Sequence, residues 1–139
     1  MSRLNAKNII NGTFGEVWVD GEYIAECYGL QAKVTIDKES VNLCGNLMVG
    51  KKIKQTEGTG SLKLHKVSNY FARKTSQYLK NGVSQDITII SKLADPDCEA
   101  ERVALSGISF DDITLADWEA AIIGKLEMPF TFSDYEVLD

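Results

Sequence analysis

The segment Gly45-Asn-Leu-Met-Val-Gly50-Lys51-Lys52 comes within one residue of the phosphate-binding pattern G-x-x-x-x-G-K-[ST]. In that pattern glycine backbone N–H groups cradle phosphates and the final hydroxyl holds magnesium. Lys52 stands where the hydroxyl would be. The pattern also needs a buried strand before it and a helix after it, and the glycine-rich run Ile53-Lys-Gln-Thr-Glu-Gly-Thr-Gly60 is a poor helix. The segment reads as a Gly-Lys loop that faces a partner. Asp95, Asp97, Glu99 and Glu101 alternate around a turn and invite a calcium reading, but they lack the twelve-residue spacing and central glycine of an EF-hand. A solvated turn opened by Pro96 accounts for them. Asp111, Asp112, Asp117 and Glu119 are candidates for paired acid–base carboxylates, with no sign of a cleft to raise a pKa. His65, the one histidine, falls opposite the Leu62/Leu64 face and reads as a surface residue. Cys27, Cys44 and Cys98 are odd in number and widely spaced, with no C-x-x-C, so they are expected to be unrelated reduced thiols. No residue is assigned to catalysis, to a metal or to a cofactor, and the chain is expected not to be an enzyme.

The elements that would position these groups are mostly strands. Gly15–Gly21 alternates, with Val17 and Val19 on one face, and Asp20-Gly21 is a hairpin turn because both residues tolerate positive φ. The chain returns through Tyr23–Cys27. Leu30, Ala32, Val34 and Ile36 alternate with polar residues and are expected to face inward from an antiparallel strand. Ser61–Lys66 resumes the alternation with Leu62 and Leu64 inward. Ser68 is expected to cap a helix that runs to about Lys80, with Phe71, Thr75, Tyr78 and Leu79 buried and Asn81-Gly82 closing it. Ile87–Leu93 and Glu101–Ser106 are strands, with Gly107 a bulge before Ile108 and Phe110. A last strand carries Ile122, Leu126, Met128, Phe130 and Phe132 on one face, and Pro129 marks an edge or a bulge on its side. Residues 38–58 are read as a long extended loop, an arm rich in Lys, Gly and Asn. Its apolar residues suggest that it orders against a neighbour.

The chain of 139 residues fits one domain, residues 1–139. Many strands and one helix, without β–α alternation, predict a mainly β fold. The expected form is two packed antiparallel sheets, a sandwich or partly open barrel, with one flanking helix. No apolar run approaches the roughly 20 residues of a membrane span, so no membrane anchor is expected. Met1-Ser-Arg-Leu-Asn-Ala-Lys7 has no apolar core of signal-peptide type, so folding in the cytoplasm is expected. The net charge of −5 conceals an asymmetry: residues 38–66 carry six basic and two acidic side chains, and residues 95–139 carry two and twelve. Such a distribution suggests complementary surfaces, and net acidity argues against wrapping nucleic acid.

Four stretches resemble the tail tube family of PBSX-type prophages and related contractile, diffocin-like bacteriocin tails. They are Ala6–Gly12 with Gly15–Gly21, the arm ending in Gly58-Thr-Gly60 with Leu62–Val67 after it, Glu101–Leu105 with Phe110-Asp-Asp112, and Pro129-Phe-Thr-Phe-Ser-Asp134. They occur in family order over nearly the whole chain. The resemblance implies a structural subunit that forms six-membered rings stacked head-to-tail into a hollow tube. It implies no catalytic residues. It also implies tail sheath, baseplate and tail terminator proteins as partners, with DNA passing the lumen without specific binding in a phage, or the tube puncturing a target envelope in a contractile bacteriocin. The tube would be assembled in the bacterial host cytoplasm and end in a virion tail or phage-tail-like particle. On this view Val41, Leu43, Leu47, Met48, Val49, Lys51, Lys52, Ile53 and Lys54 form the subunit-contacting arm. Asp111, Asp112, Glu119 and Glu127 face the lumen or the next ring. The competing readings are a small β-barrel that binds an apolar ligand between its sheets, which leaves the arm unexplained, and a hydrolase built on the acidic cluster.

Overall fold

The computed structural model describes residues 6–84 and 86–138. Its strands are β1 (Gly15–Val19), β2 (Glu22–Tyr23), β3 (Cys27–Val41), β4 (Gly50–His65), β5 (Ile87–Leu93), β6 (Glu101–Phe110), β7 (Lys125–Phe132) and β8 (Asp134–Val137), with one α-helix, α1 (Tyr70–Lys80). All pair antiparallel along one continuous path, β2-β1-β5-β6-β7-β4-β3, with β8 added to β6. The mainly β character and the single flanking helix agree with the sequence pattern. The path does not close. Its two halves share one core, in which Val17, Val19, Ile87 and Ile89 join Leu62, Leu64, Met128 and Phe130.

The path folds over at β6. Val103–Ser106 pair with β8, while Ser109 and Phe110 pair with β7. Gly107 sits at the switch with φ 65°, and a Cβ there would collide with the Ser133 hydroxyl, so the expected bulge needs glycine for both reasons. Pro129 lies where β6 leaves β7. Its carbonyl accepts from Asp111 N–H at 2.9 Å, so its missing N–H faces the side on which pairing ends. An edge-to-face series of rings, Phe71–Phe110–Phe130 at 5.9 and 6.1 Å, ties α1 to both halves. Each such pair adds about 0.5–1.5 kcal/mol beyond burial.

The Asp20-Gly21 turn is present, with both φ values positive and Trp18 opposite Tyr23. The helix ends as expected: Gly82 N–H reaches Leu79 C=O and Val83 N–H reaches Tyr78 C=O. Its start differs. Asn69 takes the N-cap position without a side-chain bond, and Ser68 Oγ accepts from Tyr70 N–H at 3.4 Å. Phe71 and Thr75 are buried, whereas Leu79 is exposed because the helix rests on the sheet with its first two turns. Three further expectations are corrected. Ala32 is exposed although Leu30 and Val34 on either side of it pack against the core, and Ile36 is exposed because β3 runs past the end of the core after Val34. Ile122 is exposed and outside β7, which starts at Lys125. The 38–58 arm is not a loop but the distal half of the β3–β4 hairpin.

Candidate assembly interface

β3 and β4 pair from Cys27/Leu64 out to Val41/Gly50. The proximal half is covered by the rings of β7. A Cβ at Gly58 would strike the Phe132 ring, and one at Gly60 would strike both Phe130 and the Gln31 carbonyl. The Gly58-Thr-Gly60 run is therefore the place where β4 lies flat beneath two aromatic rings. Beyond it the hairpin has no cover from its own subunit. A bulge follows, since Asp37 pairs with Gln55 and Lys38 with Ile53, leaving Lys54 as the extra residue.

The tip, residues 42–49, is a tight reversal. Gly45 has φ 76°, Asn46 N–H reaches Leu43 C=O, and Asn46 Oδ1 accepts from Met48 N–H at 3.2 Å. The reversal buries none of its apolar side chains. Leu47 is fully exposed at 105% and Met48 at 81%, with Leu43, Val49, Ile53 and Val41 also exposed. Lys51, Lys52 and Lys54 are exposed as well, and Lys51 Nζ donates to Ser40 Oγ at 2.7 Å across the hairpin. All nine residues assigned to the arm thus lie on the uncovered distal hairpin. The four acidic residues are not brought together. Glu127 lies on β7 opposite Lys63, while Asp111, Asp112 and Glu119 lie on the loop between β6 and β7.

That loop, residues 111–124, holds a feature the sequence reading missed. Leu115, Trp118, Ile122 and Ile123 are exposed on it, Trp118 at 84% and Ile123 at 78%. The spacing of 115, 118 and 122, with Thr114 three residues before Asp117, is the signal that could have marked it as an amphipathic segment. Gly124 C=O accepts from Lys66 N–H at 2.9 Å, which fixes the loop beside the end of β4 remote from the tip.

The chemical alternatives find no geometry. Gly45–Lys52 is a hairpin tip followed by a strand, with no helix whose N-terminus could face a phosphate. His65 is exposed and lies against the Tyr28 ring at 4.6 Å. Asp95 is buried rather than solvated, which corrects the turn reading. Its two oxygens accept from Asn11 N–H at 2.9 Å and Asp97 N–H at 3.0 Å, so the carboxylate fastens the N-terminal segment to the turn. Among the described residues no group of three or more His, Cys, Asp or Glu is placed to hold a metal, and no helix is long and apolar enough to cross a membrane. The hollow between α1 and the sheet, beside Phe71, Ile113 and Leu126, measures about 10 Å³. That is space for at most one water, whereas a wider hollow of about 320 Å³ opens between β1, β3 and β5, lined by Val17, Ile24, Tyr28, Leu30 and Ser91.

A family model described as phage tail tube protein matches residues 2–139. The phage-like element PBSX protein XkdM of Bacillus subtilis is 33% identical over 138 residues, covering 96% of this chain and 93% of the relative. A chain from the sheath-tube complex of PVC, an extracellular contractile injection system in its extended state, aligns with a TM-score of 0.73 at 15% identity, over 95% of this chain and 93% of that one. A chain from the tail of an empty gene transfer agent particle, resolved with C6 symmetry, aligns with a TM-score of 0.57 at 10% identity, over 93% and 98%. These two likenesses show a shared fold.

Proposed function

This chain belongs to the phage tail tube protein family, and from that premise we infer that its subunits close into six-membered rings and that the β3–β4 hairpin joins one ring to the next. The observation that carries the inference is the hairpin itself. Its distal half exposes six apolar side chains (Val41, Leu43, Leu47, Met48, Val49, Ile53) that nothing in the subunit covers. A lone two-stranded hairpin is marginally stable in water, so a hairpin of this length is built to gain a partner. The sixfold arrangement is supported by the C6 tail that shares the fold. Ring closure also has an edge to use, because among the described residues β3 ends the sheet path and pairs only with β4.

Tail sheath, baseplate and terminator proteins are the further partners on this reading, and the fold match to a sheath-tube complex supports it. The tube assembles in the host cytoplasm and becomes part of a virion tail or a phage-tail-like particle. The chain has no chemistry to perform. In an infectious particle DNA passes the lumen without specific binding. A wall rich in Lys or Arg would grip phosphate, so the lumen is acidic or neutral, and Asp111, Asp112, Glu119 and Glu127 are divided between it and the ring-to-ring contact. Lys51, Lys52 and Lys54 lie away from the channel, against an acidic surface. The triple variant Lys51→Glu, Lys52→Glu, Lys54→Glu is expected to keep the fold, since exposed charges rarely decide stability, and to lose stacking. Circular dichroism and sedimentation read the two effects. Tubes of ordinary length from the variant, or an assembled tube with these lysines on its channel wall, would contradict the assignment.

A further inference from the structure

We propose that the 111–124 loop is the seat for the β3–β4 hairpin tip of the next copy of this chain. The inference rests on the tube reading and names both halves of its ring-to-ring contact. β4 has 16 residues, which at roughly 3.3 Å per residue separates its ends by about 50 Å. The tip stands at the Gly50 end. The loop is held at the His65 end by the Lys66–Gly124 hydrogen bond and by the pairing of His65 with Lys125. The subunit therefore carries one uncovered apolar patch at each end of its longest element.

The two patches differ in charge. Residues 38–54 carry Lys38, Lys51, Lys52 and Lys54 against Glu39 alone. The loop carries Asp111, Asp112, Asp117 and Glu119 and no basic residue. Tip against tip would oppose lysine to lysine, and loop against loop carboxylate to carboxylate. Tip against loop joins opposite charges around an apolar centre, with Leu47 and Met48 meeting Trp118 and Ile123. Trp and Met are residue types enriched at protein interfaces, and Trp recurs at their energetic centres. A contact between two different surfaces at opposite ends repeats without closing on itself, so it propagates along a line. The loop has no regular structure, and Ala121 turns it at φ 66°.

Two measurements on the full chain test this. The chain has two tryptophans, so Trp18→Phe leaves Trp118 as the one indole, excited selectively at wavelengths beyond the tyrosine absorption. Its acrylamide quenching is expected to fall several-fold when subunits assemble into tubes. In a second variant, Ala120→Cys is combined with Cys27→Ala and Cys98→Ala, leaving native Cys44 on the tip as the partner thiol. Mild oxidation of tubes is expected to yield reducible covalent ladders that vanish when Cys44 is also changed to Ala. Tubes in which Trp118 stays fully quenchable would overturn the proposal and leave the loop to a different protein. Shielding of Trp118 without ladders would show that another part of the chain covers it, which also overturns the proposal. If the parent chain forms no tubes at any concentration, the tube reading fails and this inference with it.

Discussion

Asp20 shows how one polar residue can serve three elements. It occupies the left-handed position of the β1–β2 turn, its Oδ1 accepts from Thr88 N–H at 2.9 Å, and its Oδ2 meets Lys74 Nζ at 2.7 Å. Burial pushes its carboxyl up, but the hydrogen bonds from Lys74 and Thr88 outweigh this and hold it below the ordinary value of 3.8. A lowered folded pKa stabilises the protein above that value, and the stability is lost as pH falls through the folded pKa. Asp20→Asn is therefore expected to cost about 0.5–1 kcal/mol near neutral pH, a partly exposed pair being screened by solvent. The variant should also lose less stability than the parent below about pH 4. Urea unfolding across that range checks both. Thr75 presents the opposite case. It is buried in α1 and its Oγ1 has no hydrogen-bond partner among the described residues. Thr75→Val keeps the shape and removes the unpaired hydroxyl, so it is expected to raise stability by about 1 kcal/mol. A loss of that size in the same assay would mean that the hydroxyl is bonded.

At the scale of elements, the β3–β4 hairpin is the part of the molecule that its own core does not explain. Replacing residues 42–49 with a two-residue Asn-Gly turn is expected to leave a folded subunit that cannot elongate, because the core ends at Val34 and Gly58 and no buried contact is lost. Hydrogen exchange should show the distal hairpin weakly protected in the free subunit and strongly protected in the tube, since pairing without a buried face opens readily. Equal protection in both states would contradict the assembly role. The same asymmetry explains what could be read in advance. Leu62 and Leu64 alternate against polar neighbours because one face of β4 is buried there, and the period of two follows. Past Gly58 neither face is buried within the subunit, so no such period exists and the hairpin reads as a loop. The adjacent pair Ile122–Ile123 mimics the start of β7, although both are exposed. On the proposed ring-to-ring contact its apolar character serves a neighbouring copy, which single-chain periodicity does not record. The arm residues suggest an interface because they are apolar where a loop should be polar. In the 111–124 loop the carboxylates stand out and Ile122 suggests a strand, whereas the spacing of Leu115, Trp118 and Ile122 spans too few residues to mark an element by itself.

At the scale of the whole molecule, the chain is an open sheet with a small shared core, an unpaired edge on β3 and exposed apolar patches at both ends of its long hairpin. A monomer of this kind would carry unusually large uncovered apolar surface. On the proposed assembly the neighbouring copies cover it, and the −5 net charge, divided into a basic hairpin and an acidic C-terminal third, offers complementary surfaces to orient the contacts. Because the charged rim around each patch is screened by salt, tube elongation should slow as ionic strength rises, whereas the fold should be little affected. The most direct measurement is cryo-electron microscopy of the purified full chain, concentrated until sedimentation detects species larger than one subunit. Hollow tubes built from six-subunit rings stacked head-to-tail are the predicted result. A chain that stays monomeric at every concentration, or closes into a twofold dimer, would contradict the account.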